Sequence, residues 1–320
     1  MDKKIIFLST MIRNVLKYRY VLLTTLFILL YFFLKPLYPY VAGCTPVKNP
    51  VVIKESSVKI KDINVYYLTA GDPQKPPLVF LHGTGGSKKM SQCRKEQMMT
   101  ALSRDFYVYL PLHPGASKSD LPTFPWKTKD YVSYLDDFLD QLKVEKPIMM
   151  GQSFGGRIGL QYAIEHSEKI RLLVLGDPAI RLEPSSFYQD FLLSIGKPVL
   201  SFVFNTSWIP TSIKSALSQL ALSVPEEAIQ NNDFSKLQVV IDIISMRDIF
   251  SAEDIKKITA LTVLIWGKYD KQFPISRGQE LDKFIPNSTL YEYEAGHTAM
   301  YEDIEQTQKV ILNGFKESGK

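Results

Sequence analysis

The sequence predicts an α/β fold: a doubly wound, mainly parallel sheet with a helical cap insertion, preceded by a transmembrane helix. Three observations carry this. Short apolar runs without polar alternation recur through the chain, helical patterns separate them, and one long stretch, residues 181–260, interrupts the alternation. Strands buried on both faces lose the alternation of half-exposed strands, and helices between them are what a parallel sheet needs for its crossovers.

In chain order, the first element is cationic and then apolar. Lys3, Lys4, Arg13, Lys17, Arg19, Lys35 and Lys48 face Asp2 alone in the first fifty residues, so the net charge of +5 resides there and the rest is close to neutral. A neutral body lacks the clustered cations of a nucleic-acid footprint, and no nucleic-acid partner is expected. Tyr20 to Leu34 (YVLLTTLFILLYFFL) is uncharged and apolar, with Lys17, Arg19 and Lys35 placed to snorkel toward headgroups. The positive-inside rule then makes residues 1–19 a cytoplasmic segment and 20–35 a transmembrane or signal segment, with the body outside the cytoplasm. In the alternative, Val41-Ala42-Gly43-Cys44 resembles a bacterial lipoprotein signal, with Cys44 as the lipidated residue. Both readings tether the body to a membrane. Residues 36–54, with four prolines by Pro50, read as a stiff linker. Cys44 and Cys93 are too few for a disulfide framework, and Cys93 reads as a packing residue on a helix.

The folded body is expected over 55–180 and 261–320. Val58 to Ile60 and Ile63 to Leu68 alternate around Lys61-Asp62 and predict a β-hairpin. Leu78 to Leu81, Phe106 to Leu110, Ile148 to Met150, Leu172 to Leu175 and Leu261 to Trp266 predict buried strands, and Ser288 to Glu294 another. Helices are expected at Met90 to Leu102, Lys129 to Leu142, Phe154 to His166, Ser276 to Phe284 and Ala299 to Phe315. Residues 181–260 have helical patterning and no strand, which predicts the cap. Its Phe187, Tyr188, Phe191, Phe202, Phe204 and Trp208 either pack cap helices together or line an apolar pocket.

Chemistry concentrates at Gly151-Gln152-Ser153-Phe154-Gly155, a GxSxG spacing after a buried strand. A serine on a tight strand-to-helix turn needs small residues two before and two after it, which Gly151 and Gly155 supply. Its hydroxyl needs a base oriented by an acid. His297, in a loop before the last helix, is the candidate base; His166 ends the helix after Ser153 on the wrong side of the sheet, and His82 and His113 follow strands nearer the site and are read separately. The acid follows a strand: Asp270 is favoured, and Asp177 is the alternative, otherwise a turn former bonded to nearby backbone. Leu81-His82-Gly83-Thr84-Gly85-Gly86-Ser87 suits an oxyanion hole, with the amides of Thr84 and Phe154 as donors and His82 as a loop brace. No GK[ST] follows these glycines, which excludes a phosphate cradle. Neither cofactor nor metal is expected.

His82-Gly83, Gly151 to Gly155, Asp270 and His297, with the helical insertion after the sixth strand, resemble the α/β-hydrolase superfamily over about residues 55–317. Leu112-His113-Pro114-Gly115-Ala116-Ser117-Lys118-Ser119 resembles its loop after the fourth strand, often D-x-P-G-x-G-x-S. Leu112 replaces the aspartate and Ser117 the second glycine, which leaves that loop's shape and the role of His113, structural or substrate-touching, open. The resemblance implies that His297 deprotonates Ser153, that Ser153 attacks a carbonyl to form an acyl-enzyme, and that water completes hydrolysis. The expected substrate is a small acyl compound, a carboxylic ester and in particular a lipid ester. Aminopeptidase or thioesterase chemistry on the same residues is the alternative, and a noncatalytic membrane-tethered binding protein is the reading from another class.

Overall fold

The structure, a computed structural model, describes residues 46–84, 92–183, 235–246 and 248–319, together with 44, 198, 202 and 206. Its centre is one eight-stranded sheet: β1 (Lys54–Ile60), β2 (Ile63–Ala70), β3 (Pro77–Leu81), β4 (Tyr107–Pro111), β5 (Ile148–Gln152), β6 (Leu172–Gly176), β7 (Leu261–Gly267) and β8 (Ser288–Tyr293), in the order β1-β2-β4-β3-β5-β6-β7-β8. The hairpin pairs Ile60 with Ile63 across a turn in which Lys61 takes φ 53°, and β2 joins β4 antiparallel. From β4 to β8 every pairing is parallel.

Both faces of the parallel strands are covered, which is why these runs show no polar alternation. Val79, Leu81, Met149, Leu173, Leu175, Leu264 and Trp266 enter one core, while Leu78, Phe80, Ile148, Met150, Leu172, Val174, Val263 and Ile265 enter the other. Consecutive residues therefore feed opposite cores, as the two-residue period of a strand requires. The first core is closed by α2 (Thr128–Leu142), α3 (Phe154–His166) and α6 (Ile275–Phe284). The second is closed by α1 (Gln92–Leu102), α7 (Ala299–Glu302) and α8 (Ile304–Glu317). On α2 the buried Tyr131, Tyr134, Leu135 and Phe138 recur at helical spacing and form its inward stripe.

The strand order reverses between β3 and β5, since β3 has β4 on one side and β5 on the other. Crossovers leave in opposite directions there and open a crevice at the carboxyl ends of these two strands, where open α/β sheets hold their ligands.

Four expectations change. The single helix expected over Ala299 to Phe315 is two, because Asp303 leaves helical geometry (φ −131°, ψ 81°) and its carboxylate caps the Gln306 amide. Cys44 and Cys93 form a disulfide, with Cα atoms 6.1 Å apart. Cys93 is thus a crosslink at the start of α1, and the sulfur that a lipid thioether on Cys44 requires is engaged, which removes the lipoprotein reading. Among the described residues no helix is long and apolar enough to cross a membrane, and on that finding the single-pass placement is corrected. Residues 1–19 and 20–35, which prompted that placement, lie outside the described residues. Val51 and Ile53, near the end of the expected linker, pack on the second core, and the Val51 amide donates to Thr100 Oγ1 at 3.1 Å. Within residues 181–260, α4 (Ser235–Ile244) and α5 (Ala252–Ile255) are described and Phe202 is exposed, whereas Phe187, Tyr188, Phe191, Phe204 and Trp208 lie outside the described residues.

Candidate active site

Ser153 stands between β5 and α3 with φ 53° and ψ −115°, a positive-φ, sparsely populated conformation that costs an L-residue about 1–3 kcal/mol. Its neighbours permit the turn. A Cβ on Gly155 would lie 2.0 Å from the Leu81 carbonyl oxygen, and one on Gly151 would lie 2.4 Å from that of Gly155, so neither position admits a side chain. The serine backbone is held on both sides, its amide donating to Gly176 O at 2.9 Å and its carbonyl accepting from the Ala179 and Arg157 amides.

His297 comes from the loop after β8. Its Nε2 lies 3.0 Å from Ser153 Oγ and its Nδ1 lies 2.8 Å from Asp270 Oδ2. A carboxylate only accepts, so Nδ1 carries the hydrogen and Nε2 presents a lone pair to the serine hydroxyl. Asp270 is itself oriented, because its Oδ1 accepts the amides of Gln272 (2.7 Å) and Phe273 (3.0 Å). The loop that carries it is anchored by Trp266, a fully buried indole whose Nε1 donates to Phe273 O at 2.8 Å. The Phe273 ring in turn packs 5.3 Å from that of His297.

Three residues that the motifs did not single out complete these contacts. Gln152, between Gly151 and Ser153, donates to His297 O at 3.0 Å. Glu302 accepts from Gly296 N and Thr298 Oγ1, pinning the histidine loop from α7. Phe273 is the third. None carries a sequence signal beyond proximity to a motif, since their partners lie in the loop itself or in distant segments.

Asp177, the alternative acid, is fully buried after β6 and does not reach His297 by a hydrogen bond. Its Oδ1 accepts from Gly267 N at 2.8 Å and its Oδ2 from Ala299 N at 3.0 Å. It bonds backbone, as expected, but the backbone of two remote loops, not of its own turn. Burial is the main cause that pushes its pKa up to about 7, with nearby Asp270 adding to the rise and His297 and the two amides opposing it. His166 sits at the far end of α3, against Tyr162.

On the other side of Ser153, Gly83 follows β3 and approaches Gln152 and Ser153 closely enough that a Cβ there would lie 3.2 Å from the serine Cβ. Half-buried Thr84 follows Gly83 in the chain, and Phe154 opens α3 directly after the serine. Behind the loop, His82 and His113 face each other with ring centroids 4.2 Å apart. The His113 amide donates to His82 Nε2 (3.2 Å), which leaves Nδ1 as the protonated nitrogen of His82, bonded to Gly83 O (2.8 Å). His113 Nε2 returns a bond to His82 O at 3.2 Å. Burial lowers the His82 pKa to about 4 and holds His113 well below its ordinary value, so both rings are neutral braces. The loop after β4 keeps a left-handed φ at both Gly115 (83°) and Ser117 (49°), and Ser119 Oγ donates to Leu112 O at 2.6 Å. Among the described residues no cluster of His, Cys, Asp or Glu is arranged to hold a metal ion.

Residues 76–206 match the family model described as alpha/beta hydrolase fold. A 2-hydroxy-6-oxononadienedioate/2-hydroxy-6-oxononatrienedioate hydrolase of Pseudomonas putida is 23% identical over 279 residues, covering 79% of this chain and 92% of its own length. Monoacylglycerol lipase ABHD6 of Bos taurus is 26% identical, covering 80% of each. Among solved structures, a putative lipase from Acinetobacter baumannii superposes with a TM-score of 0.63 at 21% identity, covering 83% of this chain and 92% of that one.

Proposed function

The chain has the α/β-hydrolase fold, and on that premise we propose that it is a serine hydrolase that cleaves carboxylic esters through an acyl-enzyme. The observation that carries this reading is the continuous series of hydrogen bonds from Asp270 through His297 to Ser153 on a strained turn at the sheet's switch point. In the first half-reaction Ser153 Oγ attacks the ester carbonyl carbon while its proton passes to His297 Nε2. The carbonyl oxygen, now negative, is received by the amides of Phe154 and Thr84, and each such donor is worth about 10²–10³ in rate. His297 then gives the proton to the departing alkoxide. Water repeats the sequence on the acyl-enzyme and regenerates Ser153. Asp270 holds the His297 ring and stabilises the imidazolium that forms without itself taking the proton.

The finer assignment, to lipid esters, draws on the names of the monoacylglycerol lipase and the putative lipase among the similar proteins. The Pseudomonas putida relative raises a dienedioate substrate as the second reading, on the same nucleophile. A fluorophosphonate probe tests the common part: the wild-type protein is labelled at Ser153 and Ser153→Ala is not. Unlabelled wild type, or a labelled alanine variant, overturns it and leaves the noncatalytic binding protein. Turnover of short-chain esters, a monoacylglycerol, an aminoacyl amide, a thioester and a 2-hydroxy-6-oxo-dienedioate then separates the substrate classes.

A further inference from the structure

The loops after β6, β7 and β8 emerge within reach of one another at the site, and a single side chain joins them. Gly176, at the end of β6, accepts the Ser153 amide, and Ala179 donates to the Ser153 carbonyl. Between these two contacts sits Asp177, whose carboxylate takes the amide of Gly267, three residues before Asp270, and that of Ala299, two residues after His297. Asp177 N is itself fixed by Ile265 O at 3.0 Å. The loops so joined are also in direct contact, since a Cβ on Gly267 would lie 2.0 Å from Gly296 O.

We propose that Asp177 is a positioning residue that sets the spacing between the Asp270 loop and the His297 loop, so that the imidazole makes both of its hydrogen bonds at once. The proposal rests on the reading of Ser153 and His297 as nucleophile and base. An ionised carboxylate suits the role, because each oxygen faces one inward-pointing N–H and neither N–H has another acceptor on offer from the same side chain. An asparagine of the same shape fails at one of the two, where its NH₂ meets an N–H and two donors oppose each other. Loss of one tie lets a loop shift, and a misplacement of about 1 Å in a reacting group costs about 10²-fold in rate. Asp177 touches neither substrate nor the reacting atoms, so ground-state binding is untouched.

The experiment uses the whole protein at pH 8, where Asp177 is ionised, and compares wild type with Asp177→Asn. The expected result is a kcat lowered about 10- to 100-fold with KM within about threefold, a matching slowdown of fluorophosphonate labelling at Ser153, and faster hydrogen exchange at the Gly267 or Ala299 amide. Wild-type kcat and labelling rate in a cooperatively melting Asp177→Asn variant would overturn the proposal, as would a change confined to KM. If the variant does not fold, exchange at Gly267 and Ala299 in the wild type decides: slow exchange at both supports the tie, and exchange at the rate of an unbonded amide at either one overturns it. If the wild type is not labelled at Ser153, the nucleophile reading has failed, and the proposal, which rests on that reading, fails with it, whatever the amide exchange shows.

Discussion

Replacing Asp270 with Asn isolates the orientation of His297 from its position. In the native site Oδ1 accepts two amides, from Gln272 and Phe273, and Oδ2 faces His297 Nδ1. An asparagine keeps its carbonyl oxygen on the two amides, because turning its NH₂ toward them would set donors against two N–H groups at once. The NH₂ is thereby forced toward Nδ1. The imidazole answers by moving its hydrogen to Nε2, which places N–H, not a lone pair, against Ser153 Oγ at a separation now 3.0 Å. The serine proton then has no acceptor. A wrong tautomer of this kind costs about 10⁴-fold in kcat, or about 5.5 kcal/mol of transition-state stabilisation. Both backbone bonds survive, so the melting temperature shifts little. Stopped-flow labelling with a fluorophosphonate and steady-state ester hydrolysis measure the effect, with calorimetry as the control on folding. Retention of more than about a tenth of either rate would refute the assignment of Asp270 as the residue that orients His297, on the same expected magnitude.

Two further expectations concern stability. The Cys44–Cys93 disulfide spans 49 residues, and closure of a loop of that length restricts the unfolded chain by about 4 kcal/mol in the chain-entropy model. Calorimetry with and without dithiothreitol is expected to show a melting temperature about 10 °C lower on reduction, and an unchanged one would mean that the crosslink constrains little. The pH dependence of stability has opposing contributions. His82, with its pKa lowered to about 4, binds a proton more readily unfolded than folded, so the stability it contributes is present above pH 6.5 and is lost as pH falls toward 4. Asp177, with its pKa raised to about 7, does the reverse, contributing below pH 3.8 and losing that contribution as pH rises through about 7. His113 acts in the direction of His82. Two histidines against one aspartate leave unfolding free energy rising with pH between about 4.5 and 6, and His113→Phe is expected to flatten that rise. Urea unfolding at half-unit pH intervals checks this, and an unaltered slope in the variant would refute the assignment for His113.

The elbow was readable because its demands are local. Ser153 needs small residues at two fixed offsets, and the steric reason, the carbonyls of Leu81 and Gly155 pressing on Gly155 and Gly151, makes that spacing visible in a string of letters. The strands were readable for a similar reason: Leu78 to Leu81 and Leu172 to Leu175 are apolar at every position because each face of the sheet meets its own helices. The choice between Asp270 and Asp177 was readable only as a preference for Asp270. Both follow a strand at the same rim, and what separates them is which carboxylate reaches an imidazole carried by a later loop. The break at Asp303 was hidden because apolar residues continue past it, with Ala299, Met300 and Tyr301 before it and Ile304, Val310 and Ile311 after it all packing on the same core. The N-terminal apolar run lies outside the described residues, and among those residues no helix meets the length and apolarity of a span.

Short-range physics, then, was enough for the strands of the sheet, most of its covering helices and the candidate nucleophile, because strand burial, helix period and turn sterics each act over a few residues. The tertiary structure alone decided which groups meet. It paired Cys44 with Cys93, set His82 against His113 as neutral braces, put Asp270 on His297, and gave Asp177 two amides to hold. Each of those contacts joins segments whose separation along the chain carries no signal. Their meeting depends on strand order and on which loops emerge at the switch point, and only the assembled sheet settles that.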